Sequence, residues 1–216
     1  LSYFSSLVIN TDEIDPVYRW KDLWDISRFE ASLGLPKHAA SAFLDVTAQV
    51  FFGSGDILNT REGIKEVINQ IGEIKPNVAL WYNAESQMEQ SLKNGDVVAG
   101  LYFHDVAQLM ALDGLPIAST FPEEGNPVDF NSWTLTKGTE KSDEAYEFIN
   151  FCCDPTTQAI MAREIGVAPV VDASLTDLTE EEFAFVAGSP VFGINYEAIL
   201  DEETYINDEF LKMLSS

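Results

Sequence analysis

Basic residues are scarce in this sequence. Only 12 of the 216 residues are Lys or Arg, against 36 Asp or Glu, which gives a formal net charge of -24. Nucleic acids and anionic membranes are bound by clustered Lys and Arg, so the composition argues against both as partners. We interpret the acid as a solvated surface that keeps the protein in solution, with attraction of a cationic solute as the weaker alternative.

Cysteine and histidine are also rare. The two cysteines, Cys152 and Cys153, are adjacent, so they can neither link distant parts of the chain nor form a metal set. Neighbours on a helix point about 100° apart, so we expect one of them to be buried and the other partly exposed. Only two histidines occur, and no nucleophile-elbow, zinc-protease or phosphate-loop motif accompanies them, which argues against an enzyme.

Long apolar runs are absent as well. No stretch approaches the roughly 18 apolar residues of a membrane-spanning helix, so we expect no membrane insertion. The chain begins directly in the strand-like pattern LSYFSSLVIN. We therefore expect a mature chain or a fragment whose signal sequence lies outside it.

Helical and extended patterns alternate along the chain. Thr60 can cap a helix that runs to Gly72, because its apolar residues recur at intervals of three and four. A strand pattern (97–103) ends at His104-Asp105, and a shorter helix follows. Another helix is predicted from about 39 to 51. Such alternation predicts an α/β sheet with crossover connections.

Four segments in this order resemble the spermidine/putrescine-binding type of periplasmic solute-binding protein, a component of ABC importers. They are VYRWKDLWD, FEASLGLP, MEQSLKNGDVVAGLYF and EAYEFINFCCDPTTQAIMAREIGVAP. The resemblance covers residues 1 to about 171, and the tail matches less well. It rests on the collinear set, since no single motif is diagnostic.

The resemblance implies a two-lobe, type II periplasmic-binding-protein-like α/β fold that lacks the N-terminal part of its first lobe. Residues 1–10 and 129–136 would be strands that cross between the lobes. Residues 11–128 would form the second lobe and 137–171 the remainder of the first. A helical tail, 172–216, would return to the second lobe.

The resemblance also implies where the ligand is bound. Phe103 takes the place of a stacking tryptophan, whereas His38, Ser41 and Asn131 stand where the family has carboxylates that grip ammonium groups. Asp105 and Asp129 can substitute from nearby. The candidate ligand-binding residues are Phe103, His104, Asp105, Asp129, Asn131, Trp133, Lys37, His38, Ser41 and Tyr3.

Each candidate has a plain structural alternative. Lys37 and His38 can be solvated loop residues, although at a helix start they would favour an anionic or polar solute. His104 and Asp105 can be a polar helix cap, and Phe103 can be part of the core. Asp129 and Asn131 share strand parity and so would face the cleft together, with Trp133 as the next position.

The sequence therefore predicts the periplasmic or extracellular solute-binding component of an ABC importer, with a small polar solute and permease subunits as partners and no cofactor. A ligand-sensing domain of the same fold, not coupled to transport, is the main alternative. A metal site formed by His38, His104, Asp105 and Asp129 ranks lower, because these residues lack a metal-ligand spacing. An enzyme is a further alternative.

Overall fold

The computed structural model describes residues 1–38 and 41–216. Within these residues seven strands belong to one sheet. The strands are β1 (Ser2–Asn10), β2 (Leu33–Pro36), β3 (Val78–Tyr82), β4 (Ala99–Phe103), β5 (Ile117–Thr120), β6 (Asn126–Phe130) and β7 (Val191–Gly193). The α-helices are α1 (Ile26–Phe29), α2 (Ala42–Phe52), α3 (Arg61–Gly72), α4 (Glu85–Asn94), α5 (His104–Leu112), α6 (Ser142–Cys153), α7 (Pro155–Ile165), α8 (Glu180–Val186), α9 (Tyr196–Asp201) and α10 (Glu203–Ser215). Short 3-10 helices lie at Trp20–Trp24, Gly55–Asn59, Lys75–Asn77 and Ala173–Leu175.

The first strand holds the sheet together. The strand order is β3-β2-β4-β1-β6-β7, and β5 also pairs with β1. β1 is antiparallel to β4, β5 and β6, and its residues from Phe4 to Asn10 are all buried. A strand with neighbours on both edges and an unbroken run of buried residues is typical of a sheet interior.

Three strands end at one edge of the sheet. β2 is parallel to both β3 and β4, so the carboxyl ends of these strands point the same way. Each is followed by a connection into a helix: β2 into α2, β3 into α4 and β4 into α5. This arrangement gathers three strand-to-helix turns, which is where α/β sheets bind ligands.

The predicted cap of α3 is confirmed. The Thr60 hydroxyl accepts a hydrogen bond from the Gly63 amide at 3.1 Å, and the helix ends at Gly72. The helix predicted from about residue 39 begins at Ala42 in the structure, with Ser41 as its N-cap. The predicted start therefore falls on residues outside those described.

The main hydrophobic core lies on one side of the sheet and includes the end of the chain. α10 packs on α3, and its Ile206, Phe210 and Met213 join a cluster with Ile64 and Trp20. A smaller cluster lies under α4 and α5. Burial of each large apolar side chain contributes roughly 1.5–3 kcal/mol, so the tail is an integral part of this core.

The strand predicted at 129–136 is shifted in the structure. β6 covers Asn126–Phe130, and none of the described residues pairs with 131–136 as a strand. The resemblance implied the longer strand. The paired residues of β1 and β6 run from Phe4–Val128 to Ser2–Phe130, and the Asn131 amide then donates to the Leu1 carbonyl at 3.0 Å.

Two further details differ from the sequence expectation. The tail, expected to be helical, also contains β7, which runs parallel to β6. Neither cysteine is buried: Cys152 is half-buried and Cys153 is exposed, both as free thiols. The reason is that no residue of α6 is buried.

Candidate functional site

A cleft of about 260 Å³ opens at the edge where β2, β3 and β4 end. Its walls come from three strand-to-helix turns, from β1 and β6, and from the segment before α9. The lining residues are Tyr3, Ser5, Pro36, His38, Ser41, Ala42, Tyr82, Asn83, Glu85, Leu101, Phe103, Asp129, Ile194 and Tyr196.

The three strand-to-helix turns each contribute polar or aromatic groups. The β2–α2 turn contributes His38 and Ser41, and the β3–α4 turn contributes Glu85 at the first position of α4. Phe103 is the last residue of β4 and the N-cap of α5. Side chains from three separate parts of the chain therefore meet because their strands are neighbours in the sheet.

Asp129 is the centre of the opposite wall. It lies directly across from Tyr3 in the β1–β6 pairing, and the Tyr3 hydroxyl donates to its Oδ2 at 2.7 Å. The Tyr196 hydroxyl donates to the same oxygen, and the Phe130 amide donates to Oδ1 at 2.7 Å. A carboxylate has about four acceptor positions, so Asp129 can still accept from a ligand.

Both tyrosines stay protonated over the physiological pH range. Burial, followed by the hydrogen bond to Asp129 and its charge, raises the pKa of the Tyr3 hydroxyl. The same causes, in the same order, raise the pKa of Tyr196. Each phenol is therefore a fixed hydrogen-bond donor to the Asp129 carboxyl group rather than a phenolate.

The cleft is acidic and aromatic. Glu85 and Asp129 carry its carboxylates, and none of its lining residues in the described part of the chain is Lys or Arg. The rings of Tyr3 and Phe103 meet edge to face, with centroids 5.7 Å apart. Carboxylates beside aromatic faces are the groups that bind an organic cation.

Five of the ten predicted residues line this cleft, namely Tyr3, His38, Ser41, Phe103 and Asp129. The other five do not. Lys37 precedes His38 but is exposed beside the cleft, and its backbone amide donates to the Tyr82 carbonyl at 2.8 Å. The anion-binding argument from Lys37 therefore loses its basis.

His104 points away from the cleft into the protein. The residue is 3% exposed. Its Nε2–H donates to the Phe185 carbonyl at 2.9 Å, and its Nδ1 accepts from the Ser119 hydroxyl. Burial lowers the pKa of this imidazole, and the hydrogen bond to Phe185 opposes that effect. A neutral His104 therefore links α5 to α8 and β5.

Asp105, Asn131 and Trp133 also lie outside the cleft lining. Asp105 is half-buried, and one of its carboxylate oxygens has no hydrogen-bond partner among the described residues. Burial raises the pKa of Asp105, and backbone hydrogen bonds oppose the rise. Asn131 follows the end of β6, so strand parity no longer aims it at the cleft. Trp133 packs edge to face on Phe148 of α6, with centroids 5.2 Å apart.

Sequence reasoning undervalued two parts of the cleft. Tyr82, Asn83 and Glu85 are not among the ten predicted residues, although they lie between the end of a strand and the start of a helix, as Phe103 does. Their position after a strand, like that of Phe103, could have identified them as cleft residues. No sequence pattern could have identified Tyr196, because it reaches the cleft only through the fold of the tail.

No metal-binding cluster is found in the part of the chain that the structure describes. There, no group of three or more His, Cys, Asp or Glu side chains is arranged to hold an ion. His38 and His104 are separated by their orientations, one at the cleft and one in the interior. Among the described helices, none is both long and apolar enough to cross a membrane.

Comparison with known sequences gives a family match over most of the chain. The family described as bacterial extracellular solute-binding protein matches residues 3–184. A gamma-aminobutyric acid-binding protein of Pseudomonas aeruginosa is 29% identical over 160 residues, covering 72% of this chain and 44% of that protein. The putrescine-binding periplasmic protein PotF of Escherichia coli is 24% identical over 160 residues, and the match covers 68% of this chain and 43% of that protein. The chain thus spans less than half the length of these curated relatives.

Solved structures share the fold at low sequence identity. The binding protein MotA of Agrobacterium tumefaciens B6, in complex with glucopine, has a TM-score of 0.80 at 19% identity; the match covers 98% of this chain and 69% of that one. PotD of Streptococcus pneumoniae, a spermidine/putrescine transporter substrate-binding protein, has a TM-score of 0.72 at 18% identity, covering 99% and 67%. These neighbours are type II periplasmic binding proteins, as the sequence resemblance predicted.

Proposed function

The chain belongs to the bacterial extracellular solute-binding proteins, a family of binding proteins and not of enzymes, and from this premise we propose that it binds a small organic solute through a primary ammonium group. The observation that carries the proposal is Asp129, a carboxylate held by two tyrosine hydroxyls in a cleft that also contains Glu85.

Charge favours a cation over an anion in this cleft. An anion would meet two carboxylates and no Lys or Arg among the described lining residues. An ammonium group could donate to Asp129 or Glu85 and lie against the faces of Tyr3 and Phe103. Removing such a cation from water needs a partner carboxylate, since an unpaired buried charge costs several kcal/mol.

The names of the two curated relatives agree with this chemistry. One is named for gamma-aminobutyric acid and the other for putrescine. Both compounds carry a primary ammonium group on a short alkyl chain. The carboxylates aligned with His38, Ser41 and Asn131 in the polyamine-binding family would be replaced here by Glu85 and Asp129.

A second polar end of the solute is accommodated by α2. The N-terminus of this helix meets the cleft at Ser41 and Ala42, and the Ser41 side chain makes no capping hydrogen bond. Free amide groups at a helix start favour a carboxylate or another acceptor. An amino acid or a related aminated solute would satisfy both ends of the cleft.

The wider role follows from the family. We propose that the whole protein carries this solute from the periplasm or the cell exterior to the permease subunits of an ABC importer. Its two lobes would close over the ligand. Residues 11–128 and 137–171 would belong to different lobes, with Tyr3 and Asp129 on the strands between them.

The proposal is tested by calorimetric titration with four compounds that share a four-carbon chain. They are 1,4-diaminobutane, 4-aminobutanoate, butanoate and 1-butanol. We expect heat of binding from one or both amines and none from the two compounds that lack nitrogen. Binding of butanoate as tightly as 4-aminobutanoate would contradict the ammonium assignment.

Matched variants locate the binding site. Asp129→Asn should weaken binding of the amine about tenfold or more, because it removes the charge while keeping the shape. Asp113→Asn is the control, since Asp113 is an exposed carboxylate at the end of α5 and outside the cleft. Equal effects of the two substitutions would show a general effect of charge rather than a site.

A further inference from the structure

Asp45 lies in the first half of α2 and is not among the residues that line the cleft. The residue is 1% exposed, although Asp is almost never fully buried unless it is paired. Oδ1 accepts a hydrogen bond from the Asn195 amide at 2.9 Å, whereas Oδ2 is buried and has no partner among the described residues. A buried carboxyl oxygen without a hydrogen-bond partner lowers the stability of the folded state. We therefore asked what this carboxyl group does in the structure.

Asp45 is close to the cleft along α2. Ser41 and Ala42 line the cleft, and Asp45 follows Ala42 by three positions, which puts both on one face of the helix. A movement of the first turn of α2 would therefore move the Asp45 carboxyl with it.

The hydrogen-bond partner of Asp45, Asn195, directly precedes the cleft residue Tyr196 and is itself held by several hydrogen bonds. Its side-chain amide donates to the Gly55 carbonyl at 3.0 Å and to Asn59 Oδ1 at 3.0 Å, and its own oxygen caps α9 by accepting from Ala198. Its backbone amide donates to Asp45 and its backbone carbonyl accepts from the Ile199 amide at 3.1 Å, so Asn195 makes five hydrogen bonds. Its neighbour Tyr196 then has a defined starting point for its reach to Asp129.

We propose that Asp45 is a positioning residue of the cleft, which sets the location of Tyr196 against Asp129 by holding the Asn195 amide. The contacts form one chain: α2, Asp45, Asn195, Tyr196 and Asp129. Asp45 thus connects the cleft-lining start of α2 with the cleft-lining residue of the tail. The effect on ligand binding rests on the proposed function, whereas the effect on Tyr196 does not.

The Asp45 carboxyl titrates in an accessible range. Burial raises its pKa to about 6, and the hydrogen bond from Asn195 opposes the rise. The other ionisable groups facing it are Asp56, Glu197 and the Tyr196 phenol. Protonation of Asp45 weakens it as an acceptor, so the Asn195–Tyr196 segment should respond to pH near 6.

The test follows Tyr196 without any ligand. The full chain is labelled with 3-fluorotyrosine, and the ¹⁹F resonance of Tyr196 is assigned by its loss in Tyr196→Phe. Asp45→Ala should move this resonance and speed hydrogen exchange of the Asn195 amide at least tenfold. Thr47→Val is the matched control, because Thr47 is an equally buried polar residue of α2 that bonds only the Phe43 carbonyl. An unmoved Tyr196 resonance in Asp45→Ala would overturn the proposal.

A second variant covers the case in which Asp45→Ala does not fold. Asp45→Asn keeps an acceptor oxygen, so the Tyr196 resonance should stay near its wild-type position and lose its shift between pH 5 and 7. The difference between the wild-type and Asp45→Asn pH profiles isolates the contribution of Asp45. A pH-dependent shift as large in Asp45→Asn as in the wild type would overturn the proposal.

Binding of 1,4-diaminobutane gives the final readout. Asp45→Ala and Tyr196→Phe should each weaken it severalfold, and the double variant should be no weaker than the worse single one, because both act through one contact. Additive losses would overturn the proposal. If the wild type binds no amine, the proposed function fails alone, and the fluorine and exchange results still decide the role of Asp45.

Discussion

Two helices of equal length show how differently the two parts of this molecule are packed. α3 and α6 each have 12 residues and an apolar face. α3 buries five residues between α10, α2 and the Gly55–Asn59 turn, whereas α6 buries none and contacts mainly α7. Tyr146, Phe148 and Phe151 of α6 are each more than half exposed.

The difference shows that periodicity and burial are separate matters. An apolar face every three or four residues is enough to predict a helix, but stabilisation comes from the surface that covers it. In the described residues nothing covers the face of α6, which continues to Trp133 through its contact with Phe148. The core of the molecule is formed instead by the sheet, α2, α3 and the tail.

The largest expected effect comes from truncating one apolar side chain in each helix. Ile64→Ala removes a side chain with 0% exposure from α3 and should lower the free energy of unfolding by about 2–5 kcal/mol. Phe151→Ala, in α6, should change it by no more than ~0.5 kcal/mol, since Phe151 is 63% exposed. Urea unfolding at equilibrium measures both. Similar losses would mean that the face of α6 is covered in solution.

The second comparison is between two carboxyl groups, Asp45 in the packed region and Asp143 in α6, and concerns the pH dependence of stability. Asp45 has its pKa raised from 3.8 to about 6, so the folded state binds more protons than the unfolded state between those values. The Asp45 contribution to stability therefore falls as pH rises from about 4 to 6. Asp45→Asn should be more stable than the wild type by up to about 3 kcal/mol above pH 6 and by little at pH 4.

Asp143 is the counterpart in α6. It is exposed in the first turn of that helix, and Asp143→Asn is the control for the loss of one carboxylate. Chemical denaturation at pH 4, 5, 6 and 7 compares the two variants with the wild type. A constant stability difference for Asp45→Asn over this range would show that Asp45 is not titrating near 6.

Most of the fold was predictable because it is encoded locally. Thr60 with its four apolar partners predicts α3, and a strand-like run predicts β1. The cleft was half predictable for a related reason: Phe103 and His38 follow strand ends, and parallel strands bring such ends together. The order of segments supplied the family, which the sequence match bears out.

The remainder depends on contacts that no local pattern records. Tyr196 lies 67 positions after Asp129 in the chain and reaches it through the packing of the tail. His104 looked available at a strand end but is turned inward by Phe185, 81 positions away.

The smallest effect on stability is expected for a substitution on the exposed apolar face of α6. Dye binding detects that face directly. An apolar dye such as anilinonaphthalene sulfonate fluoresces on contiguous apolar surface, and a patch of several aromatic residues is larger than isolated exposed residues provide. Phe148→Ser should reduce the fluorescence of bound dye, because it removes the residue that joins Trp133 to α6. Phe52→Ser is the control, since Phe52 is an exposed phenylalanine at the end of α2, in the packed region. Equal losses of fluorescence would mean that the dye reports scattered side chains. A loss confined to Phe148→Ser, with the unfolding midpoint unchanged, would identify the face of α6 as an uncovered apolar surface that binds the dye.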